Sequence, residues 1–95
     1  MLDSEKLYEL KKLYGSLFIT QLKKQEVIFR ELTFSEFDRI SEYQNSPEYT
    51  NVDIEDLIIK TAVLYPEEIN LDKYPAGLIS SLAEEILEES RIFFR

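Results

Sequence analysis

Two groups of carboxylates are the side chains best suited to chemistry in this sequence: Asp53, Glu55 and Asp56, and farther along Glu84, Glu85, Glu88 and Glu89. Paired carboxylates act as general acid and base across a scissile bond, or hold Mg²⁺ through hard oxygen ligands. Each group, however, falls on the polar side or in the first turn of a segment with helical periodicity, where acids face water or favour the positive end of the helix dipole. Neither is flanked by glycine or an aromatic platform that would build a substrate cleft. The chain contains no histidine and no cysteine, so it lacks the common general base, the borderline and soft metal ligands and the most reactive nucleophile. Gly15 and Gly77 stand alone, and neither leads into the Lys-Ser or Lys-Thr pair of a phosphate-cradling loop. The residues point away from catalysis, and no catalytic, cofactor or metal site is expected.

Binding is the chemistry that remains. The acidic row Glu84, Glu85 and Glu88 offers one surface, and Ile92, Phe93 and Phe94 offer another. Two adjacent aromatics cannot both face one core from a helix, so one of them is expected at the surface or against a partner. These six residues are the candidate partner-binding set. An alternative reading gives the acidic row a different task, imitation of the phosphate row of DNA, which would make the chain an inhibitor of a host nucleic-acid-binding enzyme.

The elements that must position these groups follow from size and patterning. A chain of 95 residues is expected to form a single domain over 1–95 and to bury about two-thirds of the surface its unfolded form exposes. With 44% hydrophobic and 13% aromatic residues it lies outside the disordered class despite 32% charged residues. No apolar run approaches the roughly 20 residues that span a bilayer, and Asp3 and Glu5 stand where a signal peptide would be basic, so no membrane association is expected. The absence of cysteine suits a reducing compartment. Net charge is −8 but unevenly placed. Residues 1–30 carry six basic side chains against four acids, net +2, and residues 31–95 five against fifteen, net −10. Most of the surface would repel a phosphate backbone, so direct nucleic-acid binding is not expected.

Along the chain, Leu7, Leu10, Leu13 and Tyr14 share one face at helical spacing over residues 4–14, and Gly15 is a natural stop. Two runs rich in β-branched and aromatic residues, 17–22 and 26–31, flank the polar break Lys23-Lys24-Gln25 and predict a hairpin. The break has no Gly or Asn for a tight turn, and a continuous helix from 4 to about 24 stays open as the other reading. The clearest local signal is Leu32-Thr33-Phe34-Ser35-Glu36-Phe37, a capping box between Thr33 and Glu36 with Leu32 and Phe37 as its apolar staple. It predicts a helix to about Gln44 with Phe34, Phe37 and Ile40 inward. A further helix capped by Asn51 or Asp53 is expected to turn Ile54, Leu57, Ile58, Thr61, Ala62 and Tyr65 inward and to end at Pro66. Ile69 and Leu71 should pin a connecting segment, and Pro75-Ala76-Gly77 opens a last helix over about 76–92 with Leu78, Ile79, Leu82, Ala83, Ile86 and Ser90 on one side. The fold expected is mainly α (α+β), three to four short helices packed as a small orthogonal bundle with a short N-terminal β-hairpin.

The order of Val27-Ile28-Phe29-Arg30, Leu32-Thr33 with Glu36-Phe37, Val63-Leu64-Tyr65-Pro66-Glu67, Pro75-Ala76-Gly77 and Leu82-Ala83-Glu84-Glu85-Ile86-Leu87-Glu88-Glu89-Ser90 resembles small proteins of tailed bacteriophages, the tail assembly chaperones and baseplate or minor virion proteins. The resemblance covers about residues 26–90. It implies a non-catalytic protein that binds other tail or baseplate components, open to oligomerisation, in the host cytoplasm or the virion.

Overall fold

A computed structural model describes residues 3–90. The described chain runs as helix α1 (Ser4–Tyr14), strands β1 (Leu17–Leu22) and β2 (Gln25–Arg30), helices α2 (Phe34–Gln44) and α3 (Asn51–Ala62), strand β3 (Val63–Tyr65), a short 3₁₀ turn (Leu71–Lys73) and helix α4 (Ala76–Glu89). The class is therefore α+β, with a three-stranded antiparallel sheet in the order β1-β2-β3.

Local chemistry sets the boundaries. Asp3 caps α1 by accepting from the Lys6 amide at 2.7 Å. Gly15 closes it at φ 78°, a conformation in which a Cβ would be strained, while its own N–H reaches the Lys11 carbonyl at 2.8 Å. The hairpin, rather than a continuous helix, forms next. Lys23 stands where glycine was missing and takes φ 59° itself. All six pairs from Leu17↔Arg30 to Leu22↔Gln25 stay in register, so the cross-strand contacts outweigh one side chain in the left-handed region, which costs roughly 1–2 kcal/mol.

Thr33 and Glu36 form the predicted capping box of α2. Ile40 is buried, but Phe34, expected inward, is 84% exposed. As the first residue of α2, Phe34 lies before the turn that reaches the core. The next helix starts earlier than expected, by one residue against Asn51 and three against Asp53: Thr50 is the cap, with Asp53 completing a second capping box. Asp53 thus serves as the reciprocal acid at the third helical position instead. Nor does α3 run to Pro66. It stops at Ala62, and Val63 turns extended to begin β3, which pairs Ile28 with Tyr65 and Phe29 with Val63. The β-branched Val63 and the restriction that Pro66 places on Tyr65 both favour strand, so Tyr65 leaves the helix face assigned to it.

Cross-strand partners share a face of the sheet. Phe18 and Phe29 stack at 5.4 Å on one face, where Leu22, Val27 and Phe29 merge with Ile40, Ile59 and Ile86 from α2, α3 and α4 into one core. Ile69 and Leu71 pack against that core as expected. The opposite face carries Leu17, Ile19, Ile28 and Arg30. Ile28 is buried there outside the main cluster, on the side where Arg30 lies against Tyr14 of α1. Helix α1 covers this face only in part. None of its residues is buried, Leu7 and Leu10 are half-buried, and Leu13 is 75% exposed.

Two substitutions should move stability in opposite directions. Thr33→Ala removes a cap and should cost about 0.5–2 kcal/mol. Lys23→Gly relieves a positive φ and should gain about 1 kcal/mol. Chemical denaturation reads both, and a loss for Lys23→Gly would contradict the turn geometry.

Candidate functional site

The acidic row lies on α4. Glu84 and Glu88 are exposed, one turn apart on the same face, and Glu85 is half-buried. Side chains at this spacing are direct neighbours, and like charges there repel by a few tenths of a kcal/mol. The pair is therefore an exposed anionic surface held by the burial of Leu82, Ala83 and Ile86 on the inner side. Glu84 also lines a shallow groove of about 270 Å³ between α3 and α4, together with Ile58 and Leu87. Ile92, Phe93 and Phe94 lie outside the described residues, so they are not placed beside these glutamates. Ser90, the last described residue, has its Oγ fixed by the Leu32 amide at 2.8 Å.

The other carboxylate group is taken up locally. Asp53 accepts from the Thr50 amide at 2.9 Å and from the Thr50 hydroxyl at 3.1 Å. Asp56 pairs with Lys60 at 3.2 Å across one turn of α3. Among the described residues no group of three or more acids gathers as metal ligands. A wider groove of about 420 Å³ lies beside them, with Tyr43, Tyr49, Ile54 and Leu57 in its lining and Glu48 and Asp56 alongside. The two tyrosine rings meet at 4.7 Å and a tilt of 59°. The pair joins α2 to the connection before α3, depends on the path of that connection and has no sequence signal of its own.

Arg30 and Glu36, not grouped from the sequence, form the most highly connected polar cluster. Arg30 Nη1 donates to Glu36 Oε1 at 2.8 Å and Nη2 to Oε2 at 2.7 Å, a bidentate fork. The guanidinium also donates to the Glu31 carbonyl at 3.0 Å and to the Thr61 carbonyl at 3.0 Å. Thr61 belongs to the last turn of α3, where carbonyls lack helical partners and cations are favoured, so Arg30 supplies both a donor and a charge. The Tyr14 ring lies 5.5 Å from the guanidinium carbon. Glu36 Oε1 accepts in addition from the Thr33 amide at 2.8 Å, which makes the capping box and the ion pair one unit. The side chains are 16% and 25% exposed, respectively. Arg30 Nε is buried with no hydrogen-bond partner among the described residues.

The Arg30 hydrogen bonds, with help from the Thr33 amide and against partial burial, hold the Glu36 carboxyl down at about 2. The Glu36 bonds push Arg30 upward. The cluster is an architectural joint, with no open position for a substrate atom between its partners. Of the large apolar side chains exposed among the described residues, Tyr8, Leu13, Tyr14 and Ile19 lie on α1 and β1, while Phe34, Tyr49 and Val52 lie at the start of α2, in the loop after it and on α3. Lys6, Lys11, Lys12, Lys23 and Lys24 lie in the same stretch of chain as the first four.

Because the folded value for Glu36 lies below its usual 4.5, the charged pair stabilises fully above pH ~4.5 and the contribution is lost as pH falls toward ~2. Glu36→Gln keeps an acceptor for the Thr33 amide but removes the charge. It should lower stability at pH 7 by about 1–2 kcal/mol and flatten the stability loss between pH ~4.5 and ~2. An acid limb as steep as that of the unaltered chain would exclude Glu36 as its source. No known family model, curated protein or solved structure matches the chain.

Proposed function

We propose that the chain is a non-catalytic protein-binding module of tailed-phage tail or baseplate assembly, acting as an assembly chaperone or a minor virion component in the host cytoplasm or the virion. In this reading α2, α3 and α4 form a small orthogonal bundle laid on the sheet, and the working surfaces lie outside it. The observation that carries the reading is α1, eleven residues long with none buried and with Tyr8, Leu13 and Tyr14 exposed. A helix that leaves this much apolar surface in water offers area for a partner to bury, at about 25 cal/mol per Å² before the costs of association. Charge segregation supports the same reading, since net +2 over residues 1–30 against −10 over 31–95 gives α1 and the hairpin a charge opposite to that of the rest of the chain. The resemblance in residues 26–90 to phage tail and baseplate proteins supplies the setting. Glu84, Glu85 and Glu88 on α4, together with Ile92, Phe93 and Phe94 after it in the sequence, make up a second proposed contact.

The tagged full chain, purified from infected cells, should bring down tail or tape-measure proteins. Ending the chain after Ser90 should weaken that capture while leaving the melting temperature within about 2 °C, a shift of well under 1 kcal/mol for this size. Recovery of a host polymerase or nuclease instead would overturn the assembly reading in favour of an acidic inhibitor. A large fall in melting temperature would put Phe93 and Phe94 in the core.

A further inference from the structure

The two edges of the sheet are built differently. On one side β3 is three residues long, its register against β2 shifts so that Leu64 has no direct partner, and Pro66 follows it. Shortness, irregularity and proline are the devices by which proteins block an edge. On the other side β1 has none of them. Its six residues, Leu-Phe-Ile-Thr-Gln-Leu, carry no charge and no proline, and their register with β2 is unbroken.

The geometry of the hairpin says which backbone groups are free. In a hairpin with a two-residue loop, the pair that closes the loop exchanges both hydrogen bonds, and bonded and non-bonded pairs then alternate. Leu22↔Gln25 closes this one, so Thr20↔Val27 and Phe18↔Phe29 are bonded in turn. Leu17, Ile19 and Gln21 therefore aim their N–H and C=O groups away from β2. None of the loop, turn and cap backbone bonds among the described residues engages them. Ile19 is 57% exposed and Gln21 is exposed.

We infer that the β1 edge accepts one extended segment of a partner protein as a fourth strand, a short apolar stretch flanked by aspartate or glutamate. Charge selects the occupant. Residues 10–25 contain Lys11, Lys12, Lys23 and Lys24 and not one acid, within a chain of 19 acidic and 11 basic residues. Lysines thus flank the open strand in sequence, Lys23 and Lys24 directly after it in the hairpin turn and Lys11 and Lys12 in the last turn of α1 before it, and acidic flanks on the incoming segment complement them. A second copy of this chain would bring two such lysine sets together and be repelled. Main-chain bonds would give affinity, and the alternate side chains of the incoming strand would lie beside Ile19 on one face. This inference rests on the protein-binding reading and adds the surface and the partner's chemistry to it.

The probe is the peptide acetyl-Asp-Glu-Thr-Val-Thr-Val-Thr-Glu-Asp-amide, titrated into the ¹⁵N-labelled full chain, with a control peptide bearing lysine at the four acidic positions. The acidic peptide should shift the amides of Leu17, Ile19 and Gln21, bind at least about tenfold tighter than the control, and weaken as salt rises from about 0.05 to 0.5 M. Ile19→Pro removes an outward N–H without touching the β1–β2 ladder, so it should keep the melting temperature and lose the peptide. Lys23→Glu with Lys24→Glu should likewise keep the fold and reverse the preference between peptides. Absence of shifts at the three amides up to about 1 mM peptide, a level at which even weak encounters register, would overturn the inference. So would equal binding of the control, or a dimer of the free chain with these amides protected. If tail components are captured equally by the unaltered chain and by Ile19→Pro, the edge is wrong while the module reading stands. If the peptide binds as described and no tail component is captured, the reverse holds.

Discussion

Seven residues between the sheet and the second helix, Arg30 to Glu36, hold the molecule together through one guanidinium and its neighbours. Every helix is tied to them. Arg30 lies against Tyr14 of α1 and donates to the end of α3 at Thr61. Glu36 and Thr33 start α2, and the Leu32 amide fastens the end of α4 through Ser90. Leu32 itself is buried. An exposed ion pair would be worth only ~0–1 kcal/mol. Here the fork is bidentate and both side chains are mostly covered, so removing one partner leaves the other poorly solvated and unpaired, and the cost rises to that of an orphaned charge.

That joint explains why the partly covered side of the sheet can be left open. With α2, α3 and α4 closed over the Phe18–Phe29 face and locked at the Arg30 end, the opposite face is left to α1, whose Tyr14 lies against Arg30. Helix α1 therefore sits on the surface with no buried residue, and β1 keeps an unblocked edge in the longest acid-free stretch of the chain. The buried core and the proposed contact surfaces use different residues. The apolar side chains that would make a fourth strand or a helix partner bind are not the ones that keep the fold.

How much of this was legible in the sequence depended on the range of the interaction. Thr33 and Glu36 announced a helix start because a capping box is complete within four residues, and the hairpin was visible in its two apolar runs although its turn residue, Lys23, gave no signal. Strand β3 was hidden because Ala62-Val63-Leu64-Tyr65 continues a helical apolar pattern, and only pairing with β2 turns it into strand. Thr50 was passed over for Asn51 and Asp53, all three being able cap residues, and only the backbone decides which one stands outside the helix. The exposure of Phe34 and Leu13 was not visible either, since periodicity marks a face but not whether another element arrives to cover it. Of the candidate contact residues, Glu84 and Glu88 are exposed on one face of α4, where the spacing put them, with Glu85 half-buried beside them. Arg30 was legible only as a charge; its four acceptors come from Glu31, Glu36 and Thr61, the last 31 residues away.

The claim that Arg30 and Glu36 act as one joint is tested most directly by a double-mutant cycle on Arg30→Met and Glu36→Gln in chemical denaturation at neutral pH. A joint predicts a coupling of about 1–2 kcal/mol, with the double variant far less destabilised than the sum of the singles. Additivity to within about 0.3 kcal/mol would contradict it.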